Sequence, residues 1–248
     1  MTAYGDYPES DAPQHEIIRQ TLEQGSWNGE VVNTTDHGDR IILNLRTSLV
    51  RDSDRTPLAM VGISTDITDR KNHQRQLEHI AHYDCLTNLP NRLLLADRMR
   101  QAMAQELRYH HQMAVVYIDI DGFKAVNDTH GHDMGDRLLQ CLSERMKRAL
   151  REGDTLARIG GDEFIAVLLD LTEEDACPMI LERLLEQASH PITLDGHPLQ
   201  VSASMGVTFF PQPGDIDADH LIRQADQAMY QAKQTGKNRY QIFDIENS

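Results

Sequence analysis

The chain is short of cysteine, of basic residues relative to acidic ones, and of long apolar runs, and each shortage closes off a class of function. Cys85, Cys141 and Cys177 are the 3 cysteines in 248 residues. An odd set without CxxC spacing points away from a disulfide framework and from a zinc site, and leaves buried or inert thiols. Lysine and arginine number 24 against 39 aspartates and glutamates, a formal net charge of −15. That balance speaks against duplex nucleic acid, whose phosphates call for a broad basic surface. A small anionic ligand stays open, because a few cations, a metal or backbone N–H groups at one spot suffice for it. No stretch approaches the ~20 consecutive apolar residues of a membrane span. The opening residues Met1 to Pro13 lack both the positive start and the apolar core of a secretory signal, so a soluble, cytoplasmic protein is expected.

What is present reads as two units. Hydrophobic residues make up 40% and charged residues 25%, a globular composition, and the length suits one ordinary domain plus a smaller module. His15 to Gln24 reads as a helix with Ile17, Ile18 and Leu22 on one side, closed by Gly25. Three β-rich runs follow, Gly29 to Asn33, Arg40 to Val50 and Leu58 to Ser64, parted by turn clusters. They predict an antiparallel meander too small to be comfortable alone. From Asp66 a polar helical stretch repeats Ile67, Gln74, Leu77 and Ala81 at roughly heptad spacing, as a connecting helix would. Helix and strand signals then alternate. Helices are predicted over Pro90 to Gln105, Asp133 to Leu150, Glu173 to Gln187 and Asp217 to Gln234. A buried strand is predicted over Met113 to Ile118, ending at Asp119, and a final strand over Tyr240 to Phe243. Hairpins are predicted over Arg158 to Leu169, turning at Gly160-Gly161, and across Asp195-Gly196.

Two short segments carry candidate chemistry. Asp119-Ile120-Asp121 closes a buried strand, where polar groups of α/β proteins face a cleft. Gly160-Gly161-Asp162-Glu163 sets two acids directly after a tight turn that admits close approach. Carboxylates from adjacent strands meeting at one edge suit divalent cations of the kind used in two-metal phosphoryl and nucleotidyl transfer. An oxygen-only donor set favours magnesium or manganese over zinc. Read alone, the first segment is equally a solvated strand end and the second a plain hairpin turn.

Their order along the chain is more specific. Arg158-Ile-Gly-Gly-Asp-Glu-Phe164 resembles the signature turn of GGDEF-domain diguanylate cyclases. Asp84-Cys-Leu-Thr-Asn-Leu-Pro-Asn-Arg92 resembles that family's opening segment. Asp119 to Asp128 and Thr129 to Asp136 resemble its metal and guanine segments, and Ala225 to Arg239 its closing helix. The resemblance runs from about His82 to Phe243. It implies a palm-like α/β (α+β) domain with a central, mainly antiparallel sheet surrounded by helices. The domain would occupy residues 83–248, after a linker helix at 67–82. Residues 1–66 resemble the latter half of a PAS sensor domain through Trp27-Asn-Gly-Glu30, the two long strands and Asp66-Ile-Thr-Asp-Arg-Lys71. Too few residues precede His15 for a PAS front half, so no sensor ligand is inferred.

Carried over position by position, the resemblance makes Asp119 and Asp162, with the Ile120 carbonyl, ligands of two magnesium or manganese ions. Glu163 is either a further ligand or the group that helps deprotonate the 3′-hydroxyl. Asn127 and Asp136 would read guanine, since a carboxylate accepts from its N1–H and N2–H₂ donors. Phe123 and Lys124 would wall the pocket and meet phosphate, with His132 in support and Gly160 and Gly161 admitting the nucleotide. Lys233 and Lys237, four apart and hence on one helical face, would bind the triphosphate. Arginine is common at the second of these positions, and lysine there keeps the charge without the bidentate fork. Arg151 and Asp154 stand in the register of the family's inhibitory product site, with Arg183 as a second contact; otherwise Arg151 to Asp154 is a surface ion pair. The implied activity condenses two GTP into cyclic di-GMP, releasing pyrophosphate, in a homodimer controlled through the helix around Leu77. The competing readings are a silent cyclic di-GMP receptor and a nucleotidyl cyclase with another product.

Overall fold

A computed structural model describes residues 10–35, 37–171 and 176–245. The chain divides into two compact units, Met1–His79 and Ile80–Ser248.

In the first unit α1 (Gln14–Gln24) ends where Gly25 takes a left-handed conformation, φ 87°, which glycine adopts without a Cβ penalty. Strands β1 (Ser26–Thr34), β2 (Arg40–Arg51) and β3 (Pro57–Asp66) form an antiparallel sheet in that order, the expected meander. Its core is small: Ile17, Val31, Leu43 and Leu45. The expected apolar side of α1 is corrected. Ile17 is buried together with Thr21, whose hydroxyl donates to the Ile17 carbonyl, whereas Ile18 and Leu22 are exposed. The helix meets the sheet along the Ile17–Thr21 line, and i, i+4 residues share a face. No residue of β3 is buried. Helix α2 (Thr68–His82) buries none either. Ile67 lies ahead of the helix and is buried, while Leu77 is 68% exposed.

The second unit is built on a five-stranded sheet of order β10-β9-β4-β6-β5. Strand β4 (Met113–Asp121) is central, antiparallel to β6 (Glu163–Leu168) on one side and β9 (Ser202–Phe210) on the other. Strand β5 (Thr155–Gly160) runs antiparallel to β6, and β10 (Arg239–Ile242) is parallel to β9. All nine residues of β4 are buried. Ala114, Val116, Ile118 and Ile120 pack with Leu138 and Leu142 of α5 (His132–Arg148) and Leu181 and Leu184 of α6 (Ala176–Ser189). Met113, Val115 and Tyr117 pack with Leu95 and Met99 of α3 (Arg92–Tyr109) and Leu221 and Ala225 of α7 (Ala218–Gln234). Helices on both faces explain why β4 is a continuous apolar run, since neither pleat direction meets water.

Several boundaries differ from expectation. Strand β4 continues past Asp119 to Asp121. The hairpin loop is Gly161-Asp162, because Gly160 pairs with Glu163 and a bulge between Arg158 and Gly160 shifts the register by one residue. Phe123–His130 is a helix, α4, that the periodicity did not isolate, and α5 opens at His132, one residue ahead of the predicted Asp133. The Asp195-Gly196 turn joins two three-residue strands, β7 (Ile192–Leu194) and β8 (His197–Leu199), and β9 is a separate long strand that the periodicity did not isolate. The predicted start of the helix at Glu173 lies outside the described residues.

Strand β9 and helix α7 touch at Gly206. A Cβ there would lie 2.0 Å from the Ala225 carbonyl oxygen and 2.1 Å from the Met229 amide nitrogen, and backbone cannot step aside. Gly206→Ala is therefore expected to cost roughly 3 kcal/mol, at the upper end of ordinary overpacking, in urea unfolding of the second unit. A cost under about 0.5 kcal/mol would show that α7 is not seated on β9 in this way.

Candidate active site

Three turns and strand ends bring the acids to one edge of the sheet. Asp119 stands directly opposite Glu163 in the β4–β6 register. The Ile120 amide donates to the Asp162 carbonyl at 3.1 Å, which ties the end of β4 to the Gly161-Asp162 loop. Gly161, at φ 50°, occupies the left-handed region. A cleft of about 450 Å³ lies at this edge, lined by Asp119, Asp162, Phe123, Lys124, Lys233 and Lys237 among others.

Asp119 is the electrostatic centre. Burial pushes its carboxyl above the ordinary value, Lys233 pulls it down, and the charges of Asp162 and Asp121 push it up again. Lys233 Nζ sits 2.7 Å from Asp119 Oδ2. A buried carboxylate facing two other acids calls for positive charge, and here Lys233 supplies part of it. Among the described residues Asp119, Asp162 and Glu163 are not gathered with their oxygens all within 4.8 Å of one another. The donors are carboxylates and a nearby carbonyl, a hard oxygen set that fits magnesium or manganese. Burial, then the charges of Glu163 and Asp226, also push the neighbouring Tyr117 hydroxyl well above its usual value.

Asp121, which the sequence reading left without a role, is a positioning residue. It accepts from Ser202 Oγ (2.8 Å) and Ser204 Oγ (2.9 Å), and the Asn238 amide points at it from 3.4 Å. Both serines lie on β9, which the periodicity did not isolate, so this contact across more than 80 positions was not readable in the sequence. The loop after α7 is thereby held against β4. Lys237 lies in that loop and not on the helix: α7 stops at Gln234, and Lys237 is left-handed at φ 60°. The expected single helical face is corrected, yet both lysines reach the cleft.

Asn127, Gly135 and Phe123 meet where α4 packs on α5. A Cβ on Gly135 would fall 1.8 Å from Asn127 Oδ1 and 3.2 Å from the Phe123 ring. Asn127 Oδ1 is buried with no hydrogen-bond partner among the described residues, an acceptor left for a ligand or water to satisfy. Asp136 follows Gly135 and is exposed, as is His132; neither they nor Asn127, Glu163 and the two glycines line the cleft itself.

The signature turn is fixed by an arginine. Arg158 Nη1 donates to both Asp84 oxygens, at 2.9 and 3.0 Å, while its Nε and Nη2 donate to the Gly161 carbonyl at 3.0 and 2.8 Å. Both motifs were legible in the sequence; their pairing across 74 positions was not.

Arg151 and Asp154 line a second cavity of about 350 Å³, together with Arg98 and Lys147. No ion pair joins the two side chains among the described residues, against the surface-pair alternative. Asp154 accepts from the Arg151 and Leu169 amides at 3.0 and 3.1 Å. Arg183 is exposed on α6 and does not line this cavity; Arg98, from α3, supplies the additional arginine.

The fold and the carboxylate edge define a class, that of the GGDEF domains. The solved GGDEF domain of TpbB from Pseudomonas aeruginosa superposes with a TM-score of 0.64 at 34% identity, covering 67% of this chain and 96% of that one. The coiled coil and GGDEF domain of DgcB from Caulobacter crescentus, in complex with c-di-GMP, gives 0.64 at 26% identity, over 71% and 93%. Residues 81–239 match the diguanylate cyclase GGDEF domain. The chain belongs to this family. It is 42% identical over 170 residues to the bifunctional diguanylate cyclase/cyclic di-GMP phosphodiesterase MucR of P. aeruginosa, covering 68% of this chain and 24% of MucR. It is 34% identical to the cyclic di-GMP phosphodiesterase PdeR of Escherichia coli over 86% of this chain and 32% of PdeR, so that likeness reaches into the first unit. The chain spans about a quarter of the length of the first of these relatives.

Burial works against ionisation of Asp84, but hydrogen bonds from Thr87 and Arg158 outweigh it and hold its pKa below the usual value. A depressed folded-state pKa adds stability above the ordinary carboxylate range and loses it as pH falls through the lowered value. Arg158→Ala should therefore cost about 3 kcal/mol at pH 7, as breaking a mostly buried pair does, with the gap to the parent closing under acid. Urea unfolding at pH 7 and near pH 3 measures both. An equal gap at the two values would contradict the pairing.

Proposed function

We propose that this protein is an active diguanylate cyclase, joining two GTP molecules into cyclic di-GMP with release of two pyrophosphates. The observation that carries the reading is the convergence of Asp119 and Asp162 with Lys124, Lys233 and Lys237 on one cleft. Acids for cations and lysines for phosphates are thus present together.

Asp119, Asp162, Glu163 and the Ile120 carbonyl would hold two magnesium or manganese ions, which when bound neutralise charge on the triphosphate and its leaving pyrophosphate. Lys233 would pass from Asp119 to the phosphates, and Lys124 and Lys237 would hold them with monodentate contacts. Asn127 and Asp136 would select guanine, because adenine lacks the paired donors a carboxylate accepts. Phe123 walls the site, and Gly160 and Gly161 leave room at the turn. The 3′-hydroxyl of one GTP attacks the α-phosphorus of another, with Glu163 either taking its proton or completing the cation site. Each chain would hold one GTP, so two chains face each other in a symmetric dimer and orientation supplies much of the acceleration. The first unit would act as a sensor of PAS kind, passing its signal through α2. Incubation with GTP and magnesium and mass analysis of the product tests the reading. Cyclic di-GMP is expected from the parent and a loss of at least about a hundredfold in Asp162→Ala, whereas equal turnover in the two would refute it.

The relatives named as phosphodiesterases, PdeR among them, favour a second reading, a silent receptor that binds cyclic di-GMP in the Arg151 cavity. In an active enzyme the same cavity would be the inhibitory product site. Arg151→Ala removes a guanidinium fork worth roughly 1 to 3 kcal/mol against a guanine edge, so product affinity is expected to fall about tenfold to a hundredfold with the initial rate unchanged. Progress curves with added cyclic di-GMP decide: equal inhibition of mutant and parent would remove the site, and no turnover with retained binding would leave the receptor.

A further inference from the structure

At the end of the sheet away from the nucleotide cleft, three segments meet that the reading above does not use. Glu106 lies in the last turn of α3, His111 just ahead of β4, and Asp170 just after β6. The start of β4 lies about 20 Å along the strand from Asp119, at ~3.3 Å per residue. One ligand atom from each residue lies within 4.8 Å of the other two. His111 Nδ1 is 2.8 Å from Asp170 Oδ1, and the Leu171 amide donates to the Gln112 carbonyl at 2.8 Å, holding the two loops together.

Glu106 gives this cluster its meaning. Its side chain is fully buried, 0% exposed, and neither carboxylate oxygen has a hydrogen-bond partner among the described residues. The Asp170 backbone N–H faces the group without closing a bond of ordinary geometry. A buried carboxylate without partners calls for a proton or a cation, and here a second carboxylate and an imidazole stand within reach. His111 and Asp170 are partly exposed, so an ion can enter and both can adjust. The edge of a tetrahedron with metal–ligand bonds of 2.0–2.1 Å is about 3.3 Å, so an ion would open the His111–Asp170 pair slightly from 2.8 Å and draw Glu106 toward both.

We propose that Glu106, His111 and Asp170 form a second cation site, separate from the nucleotide cleft, that takes a zinc-type divalent transition ion through one imidazole nitrogen and two carboxylates. The imidazole selects against magnesium and calcium, and the mixed nitrogen and oxygen set suits zinc with water in the fourth position. The scarcity of cysteine bears on thiolate sites and does not reach this one. Bound metal would clamp the end of α3 and the loop after β6 to the start of the central strand.

The test uses the full chain, stripped with chelator and held in excess magnesium to cover the nucleotide cleft. Zinc is titrated by calorimetry, bound metal is counted after desalting, and thermal unfolding is followed. One equivalent of zinc is expected, with Tm rising by roughly 5 to 10 °C at a hundredfold excess over Kd. Glu106→Gln and Asp170→Asn should each weaken binding at least about tenfold. Asp170→Asn, on the exposed side, keeps the test decisive if Glu106→Gln fails to fold. Absence of zinc uptake, which a buried neutral Glu106 would give, overturns the proposal. So does uptake unchanged in both variants, or uptake lost in Asp119→Asn and kept in Glu106→Gln.

Discussion

The arrangement of the second unit depends on one charge. Asp119 is buried at the end of a strand covered on both faces, with Asp121 and Asp162 beside it, so its ionised form is costly without a counter-charge. Lys233 at 2.7 Å meets only part of that cost, since the carboxyl still stands above its ordinary value. Most of the other contacts at this edge place groups relative to that pair. Asp121 holds β9 and the loop carrying Lys237, Ile120 holds the Asp162 loop, and Arg158 clamps Gly161 to Asp84. A site under such electrostatic tension is stabilised by whatever cation enters it, which is how a binding site and a locally costly charge become one feature.

The same logic separates the two ends of β4. At one end several oxygen donors line an open cleft with lysines, as suits hydrated hard ions carrying phosphate. At the other end a sealed glutamate faces a histidine and a single aspartate. The hydrophobic run between them makes a rigid spacer, packed on both faces by Leu, Ile, Met and Val side chains. The first unit has no comparable interior: its core is four buried residues, and β3 is exposed throughout.

The fold was legible where periodicity and local chemistry agree. The run Met113 to Ile118 announced a strand buried on both faces, and the stripe Leu138, Leu142, Met146 announced α5. Asp119 and Asp162 were legible because strand-end acids and a glycine turn carry local signals. What was not legible is long-range. The bulge before Gly160 moved the loop by one residue, since register follows the partner strand. The helix end at Gln234 was legible, but Lys237 lies beyond it, and its approach to the cleft depends on the loop held by Asp121. Strand β9 was hidden because its first five residues, Ser-Ala-Ser-Met-Gly, include no β-branched or aromatic side chain, and Gly206 is there because of the closeness of α7. The Glu106 cluster was invisible in sequence, since Glu106 and Asp170 are joined only by the antiparallel return of β6 against β4.

Manganese binding followed by electron paramagnetic resonance, in the Asp170→Asn background so that one site is read, tests most directly that the Asp119 edge calls for positive charge beyond that of Lys233. The account predicts binding by the parent cleft that Asp119→Asn weakens at least about tenfold, together with a rise in thermal stability of the metal-free Asp119→Asn variant at pH 7.5. Manganese affinity unchanged by Asp119→Asn, with stability lowered at pH 7.5, would contradict it.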